Sequence, residues 1–340
     1  MTLPLPRAAV LGGGSWGTAL SLVLAQNGWS CSLWARDAAL VADLTTRREN
    51  QRYLPGFALP DRVIVTSSIA QALHHAEIVI WAVPSDAVRT TAELAQDLLA
   101  PETVLVSAAK GLEESTGLRM SQVLAEVLPT HSHRIAALSG PNLAVEIARG
   151  LPAAAVAASL SLPTRQAVQD AFTRRHLPTF RVYTNHDIVG VELGGSIKNV
   201  IAIAAGVCEG LGMGDNARAA LMTRGLAEAM RLGTAMGAEP HTFLGLSGVG
   251  DLIATAISTL SRNYRVGLAL GTGRTLEAVL AELGQVAEGV PTTHVLLQMA
   301  DKHSVPMPLC KALYGILFQG YQPANAMNIL LERPAGAELS

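Results

Sequence analysis

Two kinds of chemistry are legible in the residue types of this chain: proton transfer by a lysine set in an apolar helix, and recognition of an anion by basic and amide side chains. Lys198 sits in the stretch 187–212, DIVGVELGGSIKNVIAIAAGVCEGLG, which reads as one long helix with an all-round apolar middle at 200–208. A helix apolar on every side belongs inside a protein. An ammonium carried into such a place must be paired, or its pKa must fall. A lysine tuned toward neutrality can serve as a general acid or base. Gly194 and Gly195 lie on the turn before it, and glycine weakens a helix unless something must approach closely. The stretch predicts a buried helix that presents Lys198 to a cavity at the seam between two halves of the chain. The plainer alternative is a core helix whose lysine snorkels to water.

Other polar groups of the right type are spread along the sequence. Asp251 lies in LSGVGDL at the expected start of a helix, where an acid also serves as a partner for the helix dipole. Ser261, Arg262 and Asn263 form a polar cluster suited to a phosphate, with a solvated turn as the alternative. Were 251–262 one continuous helix, Asp251 and Arg262 would stand roughly 16 Å apart. For both to line one small site, the chain must leave the helix before Ser261. Lys110, in SAAKG, and Asn142, in SGPN after Gly140, each follow an expected strand. Lys110 could touch an anion there or lie on a surface loop. Asn142 is expected to cap the helix at 144–149. The chain holds 21 Arg but only four Lys, at 110, 198, 302 and 311, so a lysine in a Gly-rich or apolar setting stands out.

The elements that must position these groups begin at residue 7. An apolar run at 7–11 leads into GGGSWG, then a helix at 18–26 and a strand at 30–35. This is the strand–turn–helix–strand context that makes G-x-G-x-x-G a dinucleotide signal. Gly12 permits the tight turn, Gly14 lets a pyrophosphate approach the backbone, and Gly17 lets helix and strand pack closely. The free N–H groups of the helix start then face the anion. At the end of the second strand an acid selects NAD and an arginine accommodates the 2′-phosphate of NADP. Arg36 comes first and Asp37 second, so NADP is the expected cofactor, with NAD possible. Further strands are expected at 63–66, 77–83, 104–108, 135–138, 153–158 and 180–183, with a helix at 163–174. After 187 the text is helical, with segments at 216–236, 276–283, 292–302 and 309–318. The fold class expected is an α/β Rossmann-type N-terminal domain with a parallel-rich sheet (1–186), followed by an all-helical C-terminal domain (187–340).

Composition removes several function classes. The formal charge of −2 argues against a nucleic-acid partner. No apolar run approaches the roughly 20 residues of a membrane span, and the N-terminus lacks a signal-peptide pattern. Cys31, Cys208 and Cys310 are odd in number and widely spaced, which suits reduced thiols and a cytoplasmic protein. The nine histidines form no metal or nucleophile pattern. Residues 332–340 read as a disordered tail.

Taken together, GGGSWGTAL (12–20), AAKGLE (108–113), LSGPNLAVEIA (138–148), VELGGSIKNVIAIAAG (191–206), GLSGVGDLI (245–253), SRN (261–263) and GQVAEGV (284–290) resemble the bacterial-type NAD(P)-dependent sn-glycerol-3-phosphate dehydrogenases. The resemblance runs in order across nearly the whole chain. It implies reversible reduction of dihydroxyacetone phosphate to sn-glycerol 3-phosphate for phospholipid synthesis, by a homodimer. It implies a dinucleotide site lined by Ser15, Trp16, Arg36, Tyr53, Lys110, Ala144, Val286 and Glu288, with Arg262 shared. It implies a substrate site of Lys110, Gly140, Asn142, Lys198, Asp251, Ser261, Arg262 and Asn263. Lys198 would be the acid–base residue, with Lys110 and Asp251 polarising the reacting oxygens. The family usually carries Ser or Thr where Asn142 stands. Two rival readings are a 3-hydroxyacid or 6-phosphogluconate type dehydrogenase, which a carboxylate substrate would mark, and a non-catalytic NADPH-binding sensor.

Overall fold

A computed structural model of the chain describes residues 5–173 and 179–331. The tail expected at 332–340 lies outside the described residues. Ten strands are present among the described residues: β1 (Arg7–Leu11), β2 (Ser30–Trp34), β3 (Glu49–Asn50), β4 (Leu54–Ala58), β5 (Val63–Thr66), β6 (Ile78–Trp81), β7 (Val104–Ser107), β8 (Ile135–Ser139), β9 (Ala153–Ala158) and β10 (Phe180–Asn185). Eight of them form one sheet in the order β10-β9-β8-β7-β6-β1-β2-β5, while β3 and β4 pair separately as a small hairpin. Every neighbouring pair in the large sheet is parallel except β8 and β9. The hairpin was not among the expected strands. Its LPGFA text carries a Pro and a Gly, which conceal a strand.

The inner strands read as continuous apolar runs because both faces are covered. Ala8 and Val10 of β1 pack into one core with Ile78 and Ile80 of β6. Ala9 and Leu11 pack into the opposite core with Val79 and Trp81. The period of two thus divides each strand between two helical layers. Strand order reverses between β1 and β6, so the crevice where ligands bind in such sheets opens there, beyond their carboxyl ends.

After β10 the described chain is helical. A central helix, Ile188–Gly210, starts on Asp187, whose carboxylate accepts from the Gly190 amide at 2.8 Å. It is long and apolar enough to cross a membrane, although the sequence offered no apolar run of that length. However, 89% of its apolar window is buried inside the protein, as a core helix requires. A helix at Arg262–Gly271 lies against it backbone to backbone. A Cβ at Gly267 would stand 1.9 Å from the Ile203 carbonyl oxygen, and one at Gly206 would stand 2.2 Å from that of Tyr264. These glycines therefore set the spacing of the two helices. Gly267→Ala should cost about 3 kcal/mol, since main-chain atoms on both sides leave the methyl no room. Urea unfolding checks this, and an unchanged midpoint would sink the close-packing account.

Candidate active site

At the nucleotide end, the three glycines of the fingerprint have separate tasks. Gly12 adopts φ +129°, and a Cβ there would lie 2.6 Å from the Ala82 carbonyl oxygen, so β1 and β6 can leave the sheet side by side. A Cβ at Gly17 would fall 1.9 Å from the Gly12 oxygen, whereas one at Gly14 would meet nothing within 4 Å. Open space therefore lies over Gly14. Gly14 is also the N-cap of the helix Ser15–Gln26 and offers no side-chain acceptor, so the first N–H groups remain available. Beside it the Trp16 indole nitrogen is buried without a partner. Free amides, a bare Gly14 and an orphaned donor suit the pyrophosphate arm of a dinucleotide.

The end of β2 separates the two competing residues. Asp37 caps the helix Ala38–Arg47, its Oδ1 accepting from the amides of Ala39 at 2.9 Å and Leu40 at 3.3 Å. Arg36 is exposed and has no hydrogen-bond or ion-pair partner among the described residues. Tyr53 and Ala144 are half-buried, Ala144 opening the short helix Ala144–Ala148. Val286 is exposed. Glu288 reaches across to the sheet, accepting from the Ser85 amide at 3.1 Å and the Ser85 hydroxyl at 2.6 Å. Burial raises the Glu288 carboxyl above its ordinary range. Ser85 follows β6, so this contact sits at the sheet's ligand-binding edge.

The polar centre lies deeper. Lys198 is buried and donates to the Thr255 hydroxyl at 2.8 Å, with Asp251 Oδ1 at 3.0 Å. Thr255 in turn donates to Asp251 Oδ1 at 3.1 Å. The other Asp251 oxygen accepts from Lys110 at 2.7 Å, and Lys110 also donates to the Gly140 carbonyl at 2.8 Å. One carboxylate thus stands between two ammonium groups. Burial pushes Lys198 down to about 8, with Lys110 and Arg262 adding to the fall and Asp251 opposing it. Burial would raise the Asp251 carboxyl, but the two lysines outweigh it and hold it below its ordinary range.

The glycines before Lys198 do what close approach requires. A Cβ at Gly194 would be 2.9 Å from the Ser247 oxygen, and one at Gly195 would be 2.6 Å from the Ser139 hydroxyl. Ser139 ends β8, and Ser247 lies in a π-helical turn, Leu246–Gly250, that runs directly into the helix Asp251–Ala256. Asp251 is consequently not a capping residue, and its side chain is free to face the lysines. The helix stops at Ala256, and Ser261 then caps the next one, accepting from the Tyr264 amide at 3.2 Å. The chain therefore leaves the helix before Ser261, as the spacing argument required.

Arg262, the first residue of that helix, is half-buried and has no hydrogen-bond or ion-pair partner among the described residues. Burial lowers the pKa of its guanidinium. A desolvated cation at a helix N-terminus is a place for an anion. Asn263, expected to face a phosphate, has both ends of its side-chain amide bonded within the protein. Its Nδ2 donates to Asn199 Oδ1 at 2.8 Å and its Oδ1 accepts from the Gly289 amide at 3.0 Å. Asn199 Nδ2 continues the relay to the Lys110 carbonyl at 3.1 Å. Much of the Asn263 amide is thus committed within the protein, where it braces the segment carrying Lys110.

Asn142 corrects another expectation, since the N-cap of the helix Ala144–Ala148 is Leu143, which makes no side-chain cap. Asn142 instead donates to the Ala154 carbonyl at 3.0 Å, and its Oδ1 is buried without a partner. The strand end after Gly140 turns the side chain toward β9 rather than along the helix.

Several contributors were not assigned in the sequence. Thr255 lies four residues after Asp251, on the same helix face, and that spacing was a usable signal. Glu192, six residues before Lys198, is buried and accepts from Arg119 at 2.5 Å and from the Ser121 amide at 2.7 Å. It ties the chain that follows Lys110 to the central helix. Asp251→Asn would leave the buried Lys198 and the half-buried Lys110 without a counter-charge and should lower stability by about 3 kcal/mol. A denaturation midpoint equal to that of the unmodified chain would show the triad to be energetically idle.

Comparison with known proteins identifies the family. Residues 7–164 match the family model described as the NAD-dependent glycerol-3-phosphate dehydrogenase N-terminus, and residues 187–328 match that of the C-terminus. A glycerol-3-phosphate dehydrogenase (NAD(P)+) of Frankia casuarinae is 51% identical over 332 residues, covering 98% of each chain. One from Moorella thermoacetica is 49% identical over 331 residues, covering 97% of each. The crystal structure of glycerol-3-phosphate dehydrogenase from Coxiella burnetii superposes with a TM-score of 0.92 at 37% identity, covering 97% of this chain and 99% of that one. With both halves matched in order and near-complete coverage by its relatives, this chain belongs to the NAD-dependent glycerol-3-phosphate dehydrogenase family.

Proposed function

We propose that the chain reversibly reduces dihydroxyacetone phosphate to sn-glycerol 3-phosphate, with NADPH as the preferred cofactor and NADH as a possible one. The observation that carries this reading is the Lys198–Asp251–Lys110 triad, with Lys198 and Asp251 buried, beside an Arg262 that has no hydrogen-bond or ion-pair partner among the described residues. The nicotinamide cofactor supplies the hydride. Gly12, Gly14, Ser15, Trp16 and Gly17 would hold its pyrophosphate arm, Arg36 its 2′-phosphate, and Tyr53, Ala144, Val286 and Glu288 would complete its walls.

Each residue of the polar centre then has a physical role. Arg262, with the helix start behind Ser261, binds the substrate phosphate, and that binding energy positions a small ketone. Lys198 gives its proton to the oxygen at C2 as negative charge develops there. Thr255 and Asp251 keep the ammonium aimed and charged until it is needed. Lys110 adds a second positive charge near the reacting oxygens. Gly140 gives Lys110 an acceptor, and the free Oδ1 of Asn142 can accept from a substrate hydroxyl. Asn263 serves this site through its brace on Asn199.

We take residues 1–186 and 187–340 as the two domains, with the site in the seam between them. In the same reading the enzyme is a cytoplasmic homodimer that supplies phospholipid synthesis. Free, buried cysteines support a reducing compartment. Exposed Phe318, Tyr321 and Ile329 near the end of the described chain support a self-association surface, and sedimentation would decide it.

The first test is loss of reduced-nicotinamide absorbance on adding dihydroxyacetone phosphate, with NADPH and NADH in parallel. Rapid oxidation is expected, faster with NADPH at low cofactor. Nucleotide binding without oxidation would instead support a sensor, and turnover of a carboxylate substrate would support the rival dehydrogenases. Lys198→Ala should lower kcat about 1,000-fold, and near-normal turnover would remove it as the acid. The pH dependence follows from its state: reduction needs the ammonium and should decline as pH rises through about 8, whereas oxidation needs the amine and should rise over the same interval. Rates that ignore this interval in both directions would contradict the role.

A further inference from the structure

The β3–β4 hairpin is fastened to the glycine turn more firmly than a surface ribbon needs. Asn50 is fully buried, and its Nδ2 donates to the Gly13 carbonyl at 2.9 Å and to the Thr18 hydroxyl at 2.7 Å. Its Oδ1 accepts from the Tyr53 amide at 3.1 Å. Residues 51–53 are thereby held at the mouth of the nucleotide crevice, next to the end of β2.

This region carries four arginines, and two are committed elsewhere. Arg47 pairs with Asp43 at 2.5 Å, and Arg48 donates to the carbonyls of Leu59, Pro60 and Val63. Arg36 has no partner among the described residues. Arg52 places its guanidinium 5.0 Å from the centre of the Tyr53 ring, and one nitrogen lies 3.6 Å from Asp37 Oδ2. The Arg52 side chain is 58% exposed, so its head is open to a ligand. Asp37 Oδ1 is already taken by the helix cap. Its Oδ2, which would accept a ribose hydroxyl or repel a phosphate, faces Arg52.

We propose that Arg52 is a second determinant of cofactor choice, neutralising Asp37 and forming with Arg36 a cationic clamp for a phosphate on the 2′ position of an adenosine ribose. The inference rests on the reading that a dinucleotide binds at the Gly12–Gly17 turn. The attraction of the Tyr53 ring steadies the guanidinium that lies over it, so less freedom is lost when it meets the phosphate. Without Arg52, the Asp37 carboxylate would stand uncompensated beside the added negative charge. A ligand lacking the 2′-phosphate would feel little of that change.

The test is calorimetric titration of the intact chain and of Arg52→Ala with adenosine 2′,5′-bisphosphate and with 5′-AMP, which differ only in the 2′-phosphate. The wild type should bind the bisphosphate more tightly than AMP. The substitution should weaken the bisphosphate by about tenfold, as the loss of one charge-assisted contact implies. AMP should stay within about twofold. Equal loss for both ligands, or an unchanged ratio between them, would overturn the clamp while leaving the dinucleotide site standing. A wild type that binds neither ligand would overturn the dinucleotide reading itself and the clamp with it. Because no turnover is needed, failure of the proposed reaction would not disturb the result.

Discussion

One buried carboxylate between two ammonium groups is the constraint on which the rest of the site depends. Removing ions from water costs several kcal/mol each, even after relaxation. Asp251 can offset only one of its two lysines by charge. The remainder is met by dipoles: the Gly140 carbonyl for Lys110 and the Thr255 hydroxyl for Lys198. The centre still carries one positive charge in excess, and Arg262 stands nearby with no direct ion pair among the described residues, feeling only the more distant charge of Glu288. Such a cluster is incomplete as a structural device and complete as a receptor for an anion.

The same triad explains why the chain must fold around the central helix. Lys110 leaves the sheet after β7, Lys198 comes from the central helix, and Asp251 with Thr255 comes from the helix beyond the π turn. The Lys110–Asp251 contact spans 141 residues of sequence, so neither half holds the site alone. Three further links fix the seam: Glu192 with Arg119 and Ser121, Glu288 with Ser85, and the relay from Gly289 through Asn263 and Asn199 to Lys110. Each link places an acceptor from the helical half against a donor from the sheet half, or the reverse. Gly194 and Gly195 let those partners reach the central helix. Larger residues there would hold Ser139 and Ser247 away, and the distances around Lys198 would lengthen.

What was legible in the sequence had a local cause. The dinucleotide turn declares itself because three glycines answer three steric demands within six residues. Lys198 stands out because a charge interrupts an apolar helix. The break before Ser261 followed from the rise of a helix and the size of a small substrate. What was not legible depends on partners distant in sequence. Asn142 reads as a cap because it precedes a helix, yet the Ala154 carbonyl on β9 captures it. Asn263 reads as a ligand for phosphate, yet Asn199 and Gly289 engage it first. Asn50, Arg119 and Glu192 are ordinary residue types in ordinary text, and only the tertiary fold shows that their polar atoms are spent inside. The hairpin that carries Tyr53 was hidden by the proline and glycine of its own strand.

The balance at Lys198 also shows how a phosphate substrate can prepare its own reaction. Burial lowers this pKa most, Asp251 raises it, and Lys110 and Arg262 lower it further. On the proposed reading, a phosphate bound against Arg262 cancels the field of that guanidinium. Lys198 then holds its proton more firmly while the ketone is being positioned. As negative charge grows on the C2 oxygen, that oxygen becomes the stronger base, and the proton moves over a short path already aimed by Thr255. A second carboxylate would raise the Lys198 pKa further, whereas loss of Asp251 would remove what opposes its fall. Asp251 between the two lysines holds the balance between these directions, and a phosphate at Arg262, which itself lowers the Lys198 pKa, lets substrate binding shift it.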